Sequence, residues 1–262
     1  MNPMLSTIRC WLGRLCLGAI LAGAAGAQES SVAAGRAVRF IAVGDAPPFR
    51  QVVRDGVRYE LPPPPGSIPP AEIFIRTTAA GAAEEAIPEP LRLQLGRPSK
   101  KFPLRTGAAG VLDLRTSTDE GKPWVRVATP ESGDLLVVIW RDPEAKSWDQ
   151  AKAMVVPDRP VAGKFTLLNV APAPVGVVYG TEKLVVLPGK PLERDLPVGE
   201  AREFHIGTPT ESGSIKRFVS MSLEQQAGEH TLILLCRSDG YSPRQPVKLT
   251  VVKNRADAVA VP

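Results

Sequence analysis

Several short stretches of the chain alternate apolar and polar residues with the period of a strand that faces a core on one side and water on the other. In "EFHI" at 203–206, Phe204 and Ile206 fall on one side with Glu203 and His205 opposite; in "RFVSMSL" at 217–223, Val219, Met221 and Leu223 alternate with Ser220 and Ser222. Two stretches break this pattern. "LLVVIW" at 135–140 and "LILLC" at 232–236 are apolar at every position, which a sheet open to water on one face would not be. Both faces of these two strands must therefore be covered. The candidates, in order, are a loop or helix over a central strand, a contact between two parts of the chain, and a docking patch for another protein.

The same two stretches open a longer resemblance within the chain. "SGDLLVVIWRDP" at 132–143 and "AGEHTLILLCRSDG" at 227–240 spell nearly the same phrase, and at the same offset "VVPDR" at 155–159 matches "VVKNR" at 251–255. Upstream, "VLDLRTST" at 111–118 resembles "EFHIGTPT" at 203–210, and "PLRLQLG" at 90–96 resembles "PVGVVYG" at 174–180, with "AEIFIRT" at 71 and "GKFTLLNV" at 163 as opening strands. Block order is kept while spacing changes, as expected of duplicated strands joined by loops that tolerate insertion. Each copy spans about 90 residues, which suits a β-sandwich of about seven short strands. The predicted fold is all-β: a tandem duplicated sandwich, immunoglobulin-like or similar, with residues 28–160 forming the first, 161–254 the second and 255–262 a flexible tail.

Residues 28–70 have no counterpart in this scheme. "AVRFIAVG" and "QVVRDGVRYEL", with Asp55 and Gly56 as a hairpin turn, are expected to add strands to the first sandwich. "LPPPPGSIPP" at 61–70 excludes a central strand or helix, because proline lacks the amide donor and fixes φ, and is expected to be a semi-rigid connector. "TTAAGAAEEAIPEP" at 77–90 reads as a long loop with room for one helical turn, and "AKSWDQAKAM" at 145–154 as a connection that includes a short helix.

Composition supports extended structure: Pro 27 and Gly 23 are abundant, and aromatic residues make up only 5%. The first residues read as a targeting signal. Arg9 and Arg14 precede the apolar run "LCLGAILAGA", and Ala25, Gly26 and Ala27 give a small-residue cleavage pattern, so cleavage is expected before Gln28. The run is about ten residues, half of what a spanning helix needs, so the product is expected to be periplasmic or extracellular with no membrane span. Cleavage would lower the formal net charge from +5 to +3, since Arg9 and Arg14 leave. The charges are mixed along the chain with no dense basic block, which argues against nucleic acid. Of three cysteines only Cys236 would remain, so no intramolecular disulfide is expected, and its place in "LILLC" reads as a small buried hydrophobe.

Little in the sequence points to chemistry. The two histidines, His205 and His230, lack metal-ligand spacing and read as ordinary surface residues. Asp119 with Glu120 and Glu84 with Glu85 read as solvated loop carboxylates. There is no nucleophile elbow and no phosphate loop, so neither catalytic residues, nor a metal, nor a cofactor is predicted. Trp140, Trp148 and Tyr241 are the candidate interaction surface, because flat aromatic faces suit sugar rings and partner proteins. The expected function is that of an exported, non-catalytic binding or structural module in the cell envelope, with an envelope protein or polysaccharide as partner. The alternatives are a hydrolase whose site arises from distant residues, and assembly assistance. For the latter, tandem immunoglobulin-like domains behind a signal peptide, with a basic pI, are similar in architecture to periplasmic pilus chaperones, though no strand motif of that family is present.

Overall fold

The structure, a computed structural model, describes residues 36–79, 85–86, 90–104, 110–118, 121–239 and 243–256. The leader, the tail beyond 256, Glu84, Asp119, Glu120 and Tyr241 lie outside the described residues. Those described form strands and turns, without helix. In chain order the strands up to residue 157 are β1 (Arg36–Val43), β2 (Gln51–Arg54), β3 (Val57–Glu60), β4 (Glu72–Ala79), β5 (Glu85–Ala86), β6 (Leu91–Arg92), β7 (Phe102–Leu104), β8 (Gly110–Arg115), β9 (Val125–Thr129), β10 (Leu135–Arg141) and β11 (Ala151–Pro157). Then follow β12 (Lys164–Asn169), β13 (Val175–Tyr179), β14 (Glu182–Val186), β15 (Leu192–Asp195), β16 (Arg202–Pro209), β17 (Ile215–Leu223), β18 (Glu229–Arg237) and β19 (Val247–Arg255).

Four sheets carry the fold. Up to residue 157 the strand orders are β11-β10-β1-β7 and β5-β4-β8-β9, with β6 also on β4; beyond it they are β15-β12-β18-β19 and β14-β13-β16-β17. Among the named strands pairing is antiparallel except for β1 with β10 and β12 with β18, which run parallel. A parallel pair needs a long crossover. Here each crossover contains the strands of the other sheet of its half, and also an edge strand of its own sheet, β7 or β15.

The cores explain the two all-apolar strands. Successive residues of a strand point to opposite faces, and on β10 both faces are used. Val137 and Ile139 enter a first core with Phe40 of β1, Ile75 of β4 and Leu114 of β8, so that core lies between the first two sheets. Leu136 and Val138 point the other way, into a core shared with Ile41 and Val43 of β1, Leu168 and Val170 at the end of β12, and Leu232, Leu234 and Cys236 of β18. On β18, Ile233 and Leu235 then face a further core with Phe165, Val177 and Phe204, where the Phe165 ring stands edge-on to Tyr179 at 4.9 Å and to Phe204 at 6.0 Å. Neither a loop nor a helix covers the apolar strands, as first expected; they cover one another. Within Gly35–Pro262 the strands accordingly cluster as one compact unit.

The topology also reassigns the opening strands. β12 stands beside β18 as β1 stands beside β10, so "AVRFIAVG" has a positional counterpart after all, and the stretch at 71–77 does not share the place of that at 163–170. The segment "AEIFIRT" lies in β4, which pairs with β8 as β13 pairs with β16. Likewise "PLRLQLG", which includes β6, does not take the place of β13. The stretches at 111–118 and 203–210, at 136–141 and 232–237, and at 155–159 and 251–255 do occupy matching places in their sheets. The expected short helix around Trp148 is a set of turns ahead of β11, and the loop at 77–90 contributes β5 at its centre. The expected helical turn in that loop lies outside the described residues.

Candidate functional site

The prolines and the Asp55–Gly56 turn produce the least buried part of the structure. Asp55 and Gly56 both have positive φ, 51° and 76°, the requirement of the tight hairpin turn that matches strand twist. They close β2 on β3 with Val52 opposite Tyr59 and Val53 opposite Arg58. This hairpin was expected to extend the first sandwich; instead β2 and β3 pair only with each other. Cross-strand partners share a face, so Val52, Tyr59, Arg54 and Val57 lie on one side and Val53, Arg58, Gln51 and Glu60 on the other. Seven of the eight ribbon residues are exposed, and Val52 is half-buried. Phe49, Val53, Val57 and Tyr59 are 69%, 60%, 52% and 50% exposed. Beyond the ribbon the chain returns through the prolines to Gly66, whose carbonyl accepts the amide of Trp148 at 2.8 Å. That bond ties the chain returning from the ribbon to the body.

The aromatic residues predicted as an interaction surface divide. Trp148 is 2% exposed and packs in the first core, so it offers no open ring face; its neighbour Trp124 donates from Nε1 to the Trp148 carbonyl at 2.6 Å. Trp140 is half-buried against the core shared by both halves. Both tryptophans line one small cleft of about 150 Å³, bordered by Gly44, Arg141, Arg237 and Asp239. Arg141 pairs with Asp239, whose amide donates to Asp45 Oδ2 at 2.6 Å, while Lys248 Nζ lies 3.4 Å from Asp45. Burial pushes the Asp239 carboxyl up and its arginine partner works against that. Cys236 also lines this cleft, yet it is 2% exposed and burial pushes its thiol up to about 12. A thiol so held is protonated and unreactive at neutral pH, in keeping with the sequence reading.

The histidines differ from expectation in one case. His205 is half-buried on β16 with Ser220 Oγ 2.9 Å from its Nδ1. His230, expected at the surface, is 5% exposed: its Nε2 lies 2.9 Å from Thr166 Oγ1, and its Nδ1 has no hydrogen-bond partner among the described residues. Burial pushes its imidazole below the usual value, against the pull of Glu193 and Asp158, while Arg39 adds to the lowering. The unfolded chain thus takes up the proton more readily than the native one. Stability should be full above about pH 6.5 and fall as pH drops below that unfolded value toward the lower native one. Urea midpoints measured between pH 7.5 and 5.5 should fall more steeply for the native sequence than for His230→Gln; equal slopes would show that His230 titrates alike folded and unfolded.

Asp113 is the remaining buried carboxylate of note. Arg126 bonds both its oxygens, at 2.7 and 2.9 Å, and those bonds hold it below the usual carboxylate range. It serves β8–β9 pairing and is poorly placed for proton transfer. Among the described residues no three His, Cys, Asp or Glu side chains gather as a metal site, and no helix is long and apolar enough to cross a membrane. No protein-family model matches the chain, and no curated protein matches it either.

Proposed function

We propose that this chain is an exported, non-catalytic binding module of two tandem β-sandwiches, immunoglobulin-like in kind and derived by duplication, that docks an envelope protein through the β2–β3 ribbon. The leader pattern supports export, and the three stretches that match in wording and in sheet position support duplication. One observation carries the binding role: Val53, Val57 and Tyr59 of the ribbon, with Phe49 just before it, are each at least half exposed. Hairpins of two strands are marginal in water alone, and exposed apolar surface flanked by charge marks contact sites. Arg50, Arg54 and Arg58 among these residues suit a partner surface that offers carboxylates beside apolar pockets.

The test replaces Val53 and Tyr59 by serine. Because both side chains are exposed, stability should change by no more than about 0.5 kcal/mol per site. A pull-down from the envelope fraction should nevertheless lose the protein that the native sequence captures. Capture that survives both substitutions would remove the ribbon from the binding surface.

A further inference from the structure

A second site, apart from the ribbon, lies on the first half. Between Pro90 and Leu104 the chain carries Arg92, Arg97, Lys100 and Lys101 and no acidic residue. Lys101 turns to Asp134, 3.2 Å away, while the other three line one cleft of about 380 Å³ together with Pro90, Gln94 and Pro98. These three cations are exposed, and among the described residues no carboxylate lines the cleft. Arg97 forms no ion pair among the described residues. Arg92 has Glu72 4.0 Å away, with the two side chains 85% and 51% exposed, where pairing contributes little.

The backbone that presents these cations is fixed. Gly96, at φ 73°, is the third residue of a turn closed by the Arg97 amide on the Gln94 carbonyl at 3.4 Å, a place that requires positive φ. The Gly96 amide bonds the Ala42 carbonyl at 2.7 Å and the Ser99 amide that of Phe40 at 2.8 Å, so the segment runs along β1 where Phe40 and Ala42 are fully buried. Lys100 Nζ stands over the Phe102 ring, 5.3 Å from its centre. The fold itself holds the charges together, and a bound anion need order only the ends of long side chains.

We infer that this cleft binds an anionic polysaccharide, with the carboxylates of its acidic sugars on Arg92 and Arg97 and its hydroxyls on the Gln94 amide. Clustered cations with no opposing carboxylate select a polyanion. The neutral part of the lining selects its class. Gln94, which both donates and accepts, matches sugar hydroxyls. Nucleic acid would call for aromatic faces on which bases stack, and no aromatic ring lines the cleft. A lipid surface would call for large exposed apolar side chains beside the charges, whereas Leu91 of the lining is 1% exposed.

The probe is an oligogalacturonate of defined length, a chain of carboxylate-bearing sugars, titrated calorimetrically into the purified chain. A malto-oligosaccharide of the same length is its uncharged comparison. The oligogalacturonate should bind saturably and more weakly as salt rises, and the neutral sugar should not bind. Arg97→Gln should weaken binding about tenfold, the order expected for one charge-assisted bond, and Arg92→Gln with Arg97→Gln should weaken it further. Lys216→Gln with Arg217→Gln removes two exposed cations of β17, outside the cleft, and should leave the affinity unchanged. All four side chains are exposed, so unchanged melting curves will show that the variants fold. Absence of saturable binding, equal binding of the neutral sugar, native affinity after Arg92→Gln with Arg97→Gln, or an equal loss in the β17 variant would overturn the inference. So would equal or tighter binding of an oligothymidylate or of phosphatidylglycerol vesicles at the same charge concentration. Because Val53 and Tyr59 lie outside this cleft, the ribbon variants keep full oligogalacturonate binding, so the two sites fail independently.

Discussion

Val138→Asp and Leu234→Asp are each expected to unfold both halves of the chain in one transition. Both side chains are fully buried, and both lie in the core that the two halves share. An unpaired carboxylate placed there costs several kcal/mol, a large part of the roughly 5–15 kcal/mol that holds a domain together. The damage lands on β1 and β10 from one side and on β12 and β18 from the other, so neither half keeps an intact face. Limited proteolysis after partial denaturation should leave no resistant fragment for either variant. A stable half released by cleavage near 158–163 would mean that each half stands on its own core and that the shared core only joins finished pieces.

The second large effect is expected at Asp158, just beyond β11. Its carboxylate holds Arg39 in a two-bond grip at 2.6 Å, and Arg39 Nη1 reaches on to Asn254 Oδ1 of β19 at 3.2 Å. The paired side chains are only 15% and 7% exposed. Removing one partner of a buried pair leaves the other charge without its counter-ion, typically at a cost of about 3–5 kcal/mol. Asp158→Ala should show this as a lower urea midpoint with unchanged slope. The double variant Arg39→Leu with Asp158→Leu should lose less than Asp158→Ala, because no orphaned charge remains. A loss for the double variant equal to or greater than that of Asp158→Ala would show that the pair acts through packing alone.

Much of this fold could be read from local pattern, because strand period and turn chemistry are local properties. Phe204 and Ile206 face inward as their alternation predicts, and Asp55–Gly56 makes the turn that its composition demands. The unbroken runs around Val138 and Leu234 announced two covered faces. What covers them was not legible, since the answer depends on contacts between residues about a hundred positions apart. The same limit hid β1: its pairing with β10 is parallel and long-range, and residues at matching places, such as Ile41 and Leu168, agree in apolar character rather than in wording. His230 sits in a polar hairpin mouth by sequence. It is buried because β12 brings Thr166 against it and Arg39 with Asp158 approaches from the other half, neither of which its neighbours in sequence reveal. The ribbon's turn was legible, but its isolation was not. Arg54 and Arg58, which leave neither face wholly apolar, were the one available sign that it would not join a core.

The central claim, that two halves share one core and open together, is tested most directly by native-state amide hydrogen exchange in low urea. Amides of Val137 and Ile139 on β10 and of Ile233 and Leu235 on β18, all fully buried, should exchange through a common opening with the same free energy and the same urea dependence. If the β18 amides exchange through a smaller opening while those of β10 stay protected, or the reverse, the halves unfold separately and the shared core does not bind them into one unit.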